Sequence, residues 1–183
     1  ANNSGGFTVN LSQGFQGVKS SYTVDNLNVT NPTFTIGTQV GFNKDGVDLT
    51  WVSPENSNIS IILNDTKPEM NDGSPGMVNG HSFTELSNGN IAVTWNAAVV
   101  KQLDGRTDGI QDTYVRVFNP VTGDFVTEEI NLTNGLVSSY YEGIFANNSG
   151  GFTVNLSQEG VYSSYTVDNL NNTNPTITSG TQV

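Results

Sequence analysis

Residues 89–97 read "GNIAVTWNA", and the same residue pattern recurs as "DGVDLTWVS" at 45–53 and "GGFTVNLSQ" at 150–158. In each stretch large apolar residues alternate with other residues, which is the period of a β-strand with one buried face. The alternating apolar residues are Val47, Leu49 and Trp51, then Ile91, Val93 and Trp95, then Phe152, Val154 and Leu156. We therefore predict three equivalent strands with these side chains in the core, and with Thr50, Thr94 and Asn155 on the opposite face.

A turn signal precedes each predicted strand. These signals are "NKDG" at 43–46, "SNGN" at 87–90 and "NNSGG" at 147–151. Asn, Asp and Gly tolerate the positive φ that tight hairpins require. Each strand is therefore predicted to be the second strand of a hairpin.

A second hairpin is predicted after each of these strands. The clearest example is "TYVRVFNPVTGDFVTEEI" at 113–130, with "NPVTGD" as its turn, and 58–70 and 164–177 contain divergent relatives. The spacing from Trp95 to the turn residue Asn119 is about 11 residues longer than the equivalent spacing in the other two units. The sequence therefore predicts an inserted acidic loop over 97–112.

A longer repeat encloses these units. "ANNSGGFTVNLSQ" occurs at 1–13 and again at 146–158, and 20–40 returns almost unchanged as 163–183. This near-identity indicates a recent duplication, so we expect the chain to belong to a longer tandem array. "SSYYEGIF" at 138–145 precedes only the second copy. The strand at 7–12 is therefore predicted to have an unpaired edge, which neighbouring copies of the protein or adjacent repeats would complete.

Together these patterns predict an all-β chain made of repeated two-hairpin units of about four strands each. Propeller-like or stacked blades are the first interpretation, and a string of small β-sandwiches is the alternative. The predicted units are a partial unit at 1–36 without its first strand, a second at 37–79, a third at 80–135 with the loop insertion at 97–112, and a fourth at 136–183.

Composition excludes several functional classes. Six Lys and Arg residues stand against 17 Asp and Glu, and a formal net charge of -11 disfavours nucleic acid and anionic membrane surfaces as partners. Cysteine is absent, so disulfides and thiolate metal sites are excluded. We expect no membrane insertion, because no apolar run approaches the roughly 18 residues that a spanning helix needs.

Catalytic signals are weak, and we predict that the chain is not an enzyme. His81 is the only histidine, and it is expected to be a structural or surface residue. Glu128 and Glu129 are adjacent, so in a strand they would point to opposite faces and could not act as a facing acid and base. A glycosidase-type enzyme is therefore the least favoured interpretation.

The stretch "FTELSNGNIAVTWN" (83–96), followed by an Asp/Gly-rich segment and "DTYVRVFNPVTGDFVTEEINL" (112–132), resembles the repeats of large secreted hemolysin-type calcium-binding and adhesin-like bacterial surface proteins. The matching residues are Gly89, Val93, Thr94, Trp95, Asp104, Gly105, Asp108, Gly109, Tyr114, Arg116, Phe118 and Gly123. The G-G-x-G-x-D nonapeptide of the calcium roll is missing. The resemblance implies an extracellular or cell-surface, calcium-rich, blade-like repeat of bacterial origin.

Asp104, Asp108 and Asp112 are the candidate calcium ligands. They lie in a Gly-rich segment, which could bring carboxylates and backbone carbonyls around a cation that prefers six to eight oxygen ligands. A solvated acidic loop is the alternative interpretation.

Repetition favours a structural function, because a spacer or lattice gains length from repeats whereas a catalytic site does not. We predict a structural segment of an extracellular adhesin, surface filament or surface layer. The alternative is a carbohydrate-binding module. Its stacking residues would be Tyr140, Tyr141, Tyr162 and Tyr165, because Trp51 and Trp95 are assigned to the core.

Overall fold

The computed structural model describes residues 7–13, 18–25, 33–42, 47–53, 59–69, 73, 75–103, 106–134, 137–170 and 174–182. Side chains are described within these ranges except at 7–13, 18–25, 33–42, 101–103, 106–108 and 181–182. Every regular element in this part of the chain is a β-strand, which confirms the prediction of an all-β protein. In the same residues, no helix is long and apolar enough to cross a bilayer.

The first sheet contains five antiparallel strands in chain order. They are β1 (Phe7–Gln13), β2 (Val18–Asp25), β3 (Thr33–Phe42), β4 (Leu49–Val52) and β5 (Ser60–Ile62). β3 pairs first with β2 and then with β4, so it runs through the predicted unit boundary between residues 36 and 37. β1 is an edge strand, since β2 is the only described strand that pairs with it.

The second sheet contains β6 (Val78–Glu85), β7 (Ile91–Leu103), β8 (Arg106–Phe118) and the short β9 (Ile130–Asn131). β7 and β8 form one long hairpin in continuous register from Ile91 opposite Phe118 to Leu103 opposite Arg106. The prediction of an inserted loop over 97–112 is therefore wrong, because most of these residues extend the two strands. The Asp-Gly pair at 104–105 lies outside the described residues.

The third sheet contains β10 (Ser139–Ala146), β11 (Phe152–Gln158), β12 (Val161–Asp168) and β13 (Thr176–Gln182), again in chain order. In the turn between β10 and β11, the Asn147 Oδ1 accepts hydrogen bonds from the backbone N–H groups of Ser149 (3.1 Å) and Gly151 (2.8 Å). Gly150 has φ +86° in this turn and Gly89 has φ +81° in the turn before β7. The turns predicted at 87–90 and 147–151 are confirmed, and the one at 43–46 lies outside the described residues.

One face of the second sheet packs against the β4–β5 part of the first sheet. The residues of this core cluster include Ile91, Val93 and Trp95 from β7 and Leu49, Trp51 and Leu63 from the first sheet and the residues after β5. Trp51 and Trp95 are both fully buried, which confirms their assignment to the core. The Trp51 ring also contacts Phe118, with 5.0 Å between ring centroids.

The opposite face of the second sheet packs against the third sheet. This second core cluster includes Ala92, Val115 and Val117 from β7 and β8, with Phe152, Val154 and Val167 from β11 and β12. Thr94, which alternation placed on an open face, is fully buried for this reason. The second sheet is thus covered on both faces, whereas the sequence pattern predicts only one buried face.

Candidate functional site

Two strands of identical sequence, β1 and β11, have different neighbouring strands. Both read "FTVNLSQ", and each forms a hairpin with the strand that follows it. The registers agree along the whole hairpin: Phe7 lies opposite Val24 in the first copy, as Phe152 lies opposite Val167 in the second. The backbone therefore reproduces in the first copy the pairing of the second.

The difference between the copies is β10. β11 pairs with β10 from Phe152 opposite Ala146 to Gln158 opposite Ser139, with a bulge between Tyr141 and Gly143. In the described part of the chain, no strand occupies the equivalent edge of β1. The edge of β1 that faces away from β2 thus corresponds to the edge of β11 that pairs with β10.

β10 is held on the second sheet by the side chain of Asn96. The Asn96 Nδ2 donates a hydrogen bond to the Ser139 carbonyl oxygen at 2.9 Å, and the Tyr141 N–H donates to the Asn96 Oδ1 at 3.2 Å. One side-chain amide thus offers the β10 backbone a donor and an acceptor, as the peptide group of a neighbouring strand does. Asn96 is 3% exposed, so these bonds are shielded from water.

Three hydroxyl groups complete this connection. The Ser139 Oγ lies 2.8 Å from the Thr113 Oγ1 and 3.1 Å from the Thr133 Oγ1, and it donates to the Gln111 carbonyl oxygen at 3.1 Å. The Asn96 Nδ2 also donates to the Thr113 Oγ1 at 2.9 Å. We call Asn96, Thr113, Thr133 and Ser139 the β10 anchor. Because buried polar groups are costly unless they are paired, this cluster favours one position of β10 on the second sheet.

Tyr141 adds a packing contact between β10 and β6. A Cβ atom at Gly80 of β6 would lie 2.8 Å from the Tyr141 hydroxyl oxygen, and Gly80 has φ +63°. Gly80 therefore makes room for the Tyr141 ring. Burial raises the pKa of Tyr141 to about 12. β10 thus belongs to the third sheet by strand pairing, and the anchor and this contact attach it to the second sheet as well.

Two of the three candidate calcium ligands, Asp108 and Asp112, lie in strand β8. Asp112 is fully buried in β8, where its carboxylate accepts hydrogen bonds from the Asn131 Nδ2 (2.9 Å) and the Thr133 Oγ1 (3.3 Å). Asp108 lies four positions away on the same strand, which separates the two backbones by about 13 Å. Asp104 lies outside the described residues. No group of three His, Asp or Glu side chains in the described part of the chain is arranged to hold a metal ion, and calcium binding stays a prediction.

Arg116 forms a second polar connection, between the first and second sheets. Its guanidinium donates to the Leu63 carbonyl oxygen at 3.0 Å and lies 3.0 Å from the Asp65 carboxylate, while the Phe125 ring centroid is 3.6 Å from the Arg116 Cζ. Arg116 is 3% exposed. The resemblance includes this residue, but nothing in the sequence indicates that it binds the backbone after β5.

The two adjacent glutamates precede β9 and contact different residues. Glu129 accepts hydrogen bonds from the backbone N–H groups of Asp65 (2.7 Å) and Thr66 (3.1 Å) and from the Thr66 hydroxyl. Glu128 is largely exposed and lies 3.7 Å from Arg116. Glu129 therefore helps Arg116 to hold the segment after β5. The expectation that both glutamates lie in a strand is wrong, because β9 begins at Ile130.

His81 is fully buried in β6, opposite Trp95 of β7. This burial favours a structural role for His81 over a position on the surface.

The open face of the third sheet carries two exposed tyrosines in one row. Tyr140 lies opposite Ser157, and Ser157 lies opposite Tyr162. Tyr140 is 50% exposed and Tyr162 is 55% exposed, whereas Tyr141 and Tyr165 pack against the second core cluster. Two strand spacings put the tyrosine backbones about 10 Å apart. Of the four predicted stacking residues, the structure therefore leaves two on an open face.

No family model matches this sequence, and no curated protein or solved structure is significantly similar to it.

The β10 anchor was not predicted from the sequence. Its one sequence signal is Asn96, an amide at the end of the apolar alternation of β7, and nothing local links it to Ser139, 43 positions later in the chain.

Proposed function

We propose that the chain is a structural segment of an extracellular tandem-repeat protein, such as an adhesin, a surface filament or a surface layer. In this proposal its small β-sheets are blade-like units that pack face to face. The observation that carries the proposal is the burial of the second sheet between the first and the third.

Each of the two sheet contacts involves the alternating apolar face of a predicted unit. Val93 of β7 faces the first sheet, and Val154, its counterpart in the alternating pattern, faces the second. The second and third sheets thus turn equivalent faces toward the preceding sheet, whereas the counterpart face of the first sheet, with Leu49 and Trp51, is turned toward the second. Since the second sheet is covered on both faces by its neighbours, small sheets can pack in series, which suits a spacer or a fibre.

Extracellular location and calcium stabilisation are part of the proposal, supported by the acidic composition and by the resemblance of residues 83–132. Calcium is tested by following thermal unfolding during a titration. We expect the melting temperature to rise at millimolar calcium and magnesium to have less effect, because a calcium site is larger and less regular. An unchanged melting temperature would remove calcium from the proposal.

The assembly role is tested on the purified chain by sedimentation velocity over a wide concentration range and by negative-stain electron microscopy. We expect sedimentation coefficients that rise with concentration, and elongated or sheet-like particles. A single monomeric species at all concentrations, with only compact particles in the microscope, would contradict the proposal.

A carbohydrate-binding module is the second candidate, and the exposed row of Tyr140, Ser157 and Tyr162 favours it. Aromatic rings on an open sheet face can stack on sugar rings. A glycan array is the direct test, with Tyr140→Ala and Tyr162→Ala as loss variants and Tyr165→Phe as a control in the core. Binding that survives both alanine variants, or no binding to any glycan, would exclude this site.

A further inference from the structure

The edge of β10 recognises a strand whose sequence occurs twice in the chain. β11 fills that edge in the structure, and β1 has the same seven residues and the same register with its neighbouring strand. No side chain within those seven residues can therefore distinguish β11 from the β1 of another molecule. We propose that β10 and the second-sheet face behind it form an exchange site, at which β1–β3 of a second copy of this chain replaces β11–β13.

The similarity continues beyond the pairing strand. β2 reads "VKSSYTVD" and β12 reads "VYSSYTVD", so Lys19 in place of Tyr162 is the only difference. Tyr162 is exposed, and it lies on the face turned away from the second sheet. Its replacement by lysine therefore leaves the packing face of the incoming hairpin unchanged.

The second-sheet face that packs against β11 requires the same residue types from an incoming β1. Phe152 and Val154 are fully buried against Ala92, Val115 and Val117. Phe7 and Val9 are the residues at the equivalent positions of β1. A second copy thus supplies the residue types that this core cluster already accepts.

β10 is suited to this exchange because its position does not depend on β11 alone. The β10 anchor binds Ser139 and Tyr141 through Asn96, and these bonds remain when β11 leaves. β10 would then present a fixed edge. On the other molecule, the edge of β1 would gain the strand that it lacks in the described part of the chain.

Chain connectivity controls the balance between the state in which β11 of the same chain pairs with β10 and the exchanged state in which β1 of a second copy does. β11 follows β10 after a short turn, so its effective concentration at the edge is on the order of millimolar. A second copy therefore competes only at high protein concentration, or when β11–β13 is destabilised. At this edge the incoming strand would re-form the contacts that β11 makes, as in domain swapping, while the displaced β11–β13 loses them.

The test is cysteine cross-linking between full-length chains, which is simple because the natural sequence has no cysteine. One chain carries Ser12→Cys and the other carries Tyr140→Cys. Ser12 of β1 corresponds to Ser157 of β11, which lies opposite Tyr140. A disulfide requires Cα atoms about 4.4–6.8 Å apart, so it reports this register. We expect a cross-linked dimer, and a several-fold higher yield when the Tyr140→Cys chain also carries Val154→Ala.

The matched control replaces Ser12→Cys by Thr8→Cys. Thr8 corresponds to Thr153, which lies opposite Phe145, so in the exchanged state it is about 13 Å from residue 140. Equal dimer yields from the two mixtures, or no dimer from either, would overturn the exchange site. Fluorescence of Trp51 and Trp95 checks the first core cluster, which does not include Val154. If Val154→Ala disturbs that cluster, the same comparison without it at higher protein concentration decides the question.

The exchange is one route to the assembly proposed above, and the two can fail separately. Elongated particles without the register-specific disulfide would overturn the exchange and leave the assembly role in place. The disulfide in a sample that forms only dimers would support the exchange and contradict the fibre.

Discussion

β1 and β11 have the same sequence but different surroundings, and this pair separates what a strand sequence determines from what its neighbours determine. Both strands pair with the next strand in the same register. Among the described strands, β11 has a partner on its other edge and β1 has none, and Phe152 and Val154 of β11 are fully buried. The comparison teaches that local sequence determines the register of the hairpin, whereas pairing at the other edge of the strand depends on a further strand such as β10.

The largest expected effect comes from removing the same aromatic ring in each copy. Phe152→Ala should lower the free energy of unfolding by about 3–5 kcal/mol, because it leaves a cavity in the second core cluster. Phe7→Ala should cost less, since β1 has a partner on one edge alone among the described strands. Urea denaturation of both variants measures the difference. Equal losses would show that the two copies are equally well packed.

The second prediction concerns the β10 anchor. Asn96→Ala should cost about 1–3 kcal/mol, because it leaves the Ser139 carbonyl and the Tyr141 N–H buried without these bonds. Ser157 is the residue of the third sheet that aligns with Asn96, and its hydroxyl donates to Glu142 on an exposed face. Ser157→Ala should therefore change stability by less than about 0.5 kcal/mol. Thermal unfolding of the two variants side by side is the measurement, and a neutral Asn96→Ala would refute the anchor.

The third prediction uses the pH dependence of stability to test the burial of Tyr141 in β10. The folded-state pKa of Tyr141 is about 12, above the ordinary value of 10.0, because burial disfavours the phenolate. Between pH 10 and 12 the unfolded chain loses this proton while the folded chain keeps it, so stability should fall as pH rises through this window. Below pH 10 this residue should contribute no pH dependence.

Tyr114 adds to the loss above pH 10, since burial and the charges of Asp112 and Glu129 raise its pKa as well. Tyr141→Phe should make the decline shallower in denaturation curves recorded from pH 8 to 11.5. Tyr140→Phe serves as the control for loss of a hydroxyl from the same strand. An unchanged slope in Tyr141→Phe would mean that Tyr141 is not seated against β6.

The smallest expected effect comes from exchanging the one residue that differs between β2 and β12. Tyr162 is 55% exposed, so Tyr162→Lys should change stability by no more than about 0.5 kcal/mol. The reciprocal Lys19→Tyr variant makes the two strands identical. Calorimetry of the two proteins is the measurement. A clear loss in Tyr162→Lys alone would mean that this side chain packs in the folded chain, and that the copies are less interchangeable than their backbones.

The alternating pattern predicted the strands and their buried residues well where burial follows from one apolar face of the strand. Leu49, Trp51, Val93 and Leu156 are all fully buried, as expected. Turn chemistry was equally informative at Asn147, whose side chain caps its turn as Asn residues commonly do. These features depend on residues close together in the chain.

One local feature was misinterpreted, and features that depend on distant residues were missed. The segment 97–112 was interpreted as an inserted loop from the longer spacing between Trp95 and Asn119, although two longer strands of one hairpin give the same spacing. Thr94 was expected on an open face, because alternation does not reveal that another sheet covers a strand. The partners of Asn96 and Arg116 lie tens of positions away, and neither residue type specifies such a partner by itself.

The amide of Asn96 binds main-chain atoms of β10, and this has a consequence for how such sequences diverge. Substitutions in β10 leave its carbonyl and N–H groups in place, so the anchoring bonds to Asn96 tolerate drift in the strand that they hold. They do not tolerate a shift of one residue, which would turn the other face of β10 inward. Mutations can therefore accumulate at exposed positions of β10 such as Tyr140 and Phe145, while insertions and deletions between residues 96 and 139 are tolerated only in segments that leave this alignment intact.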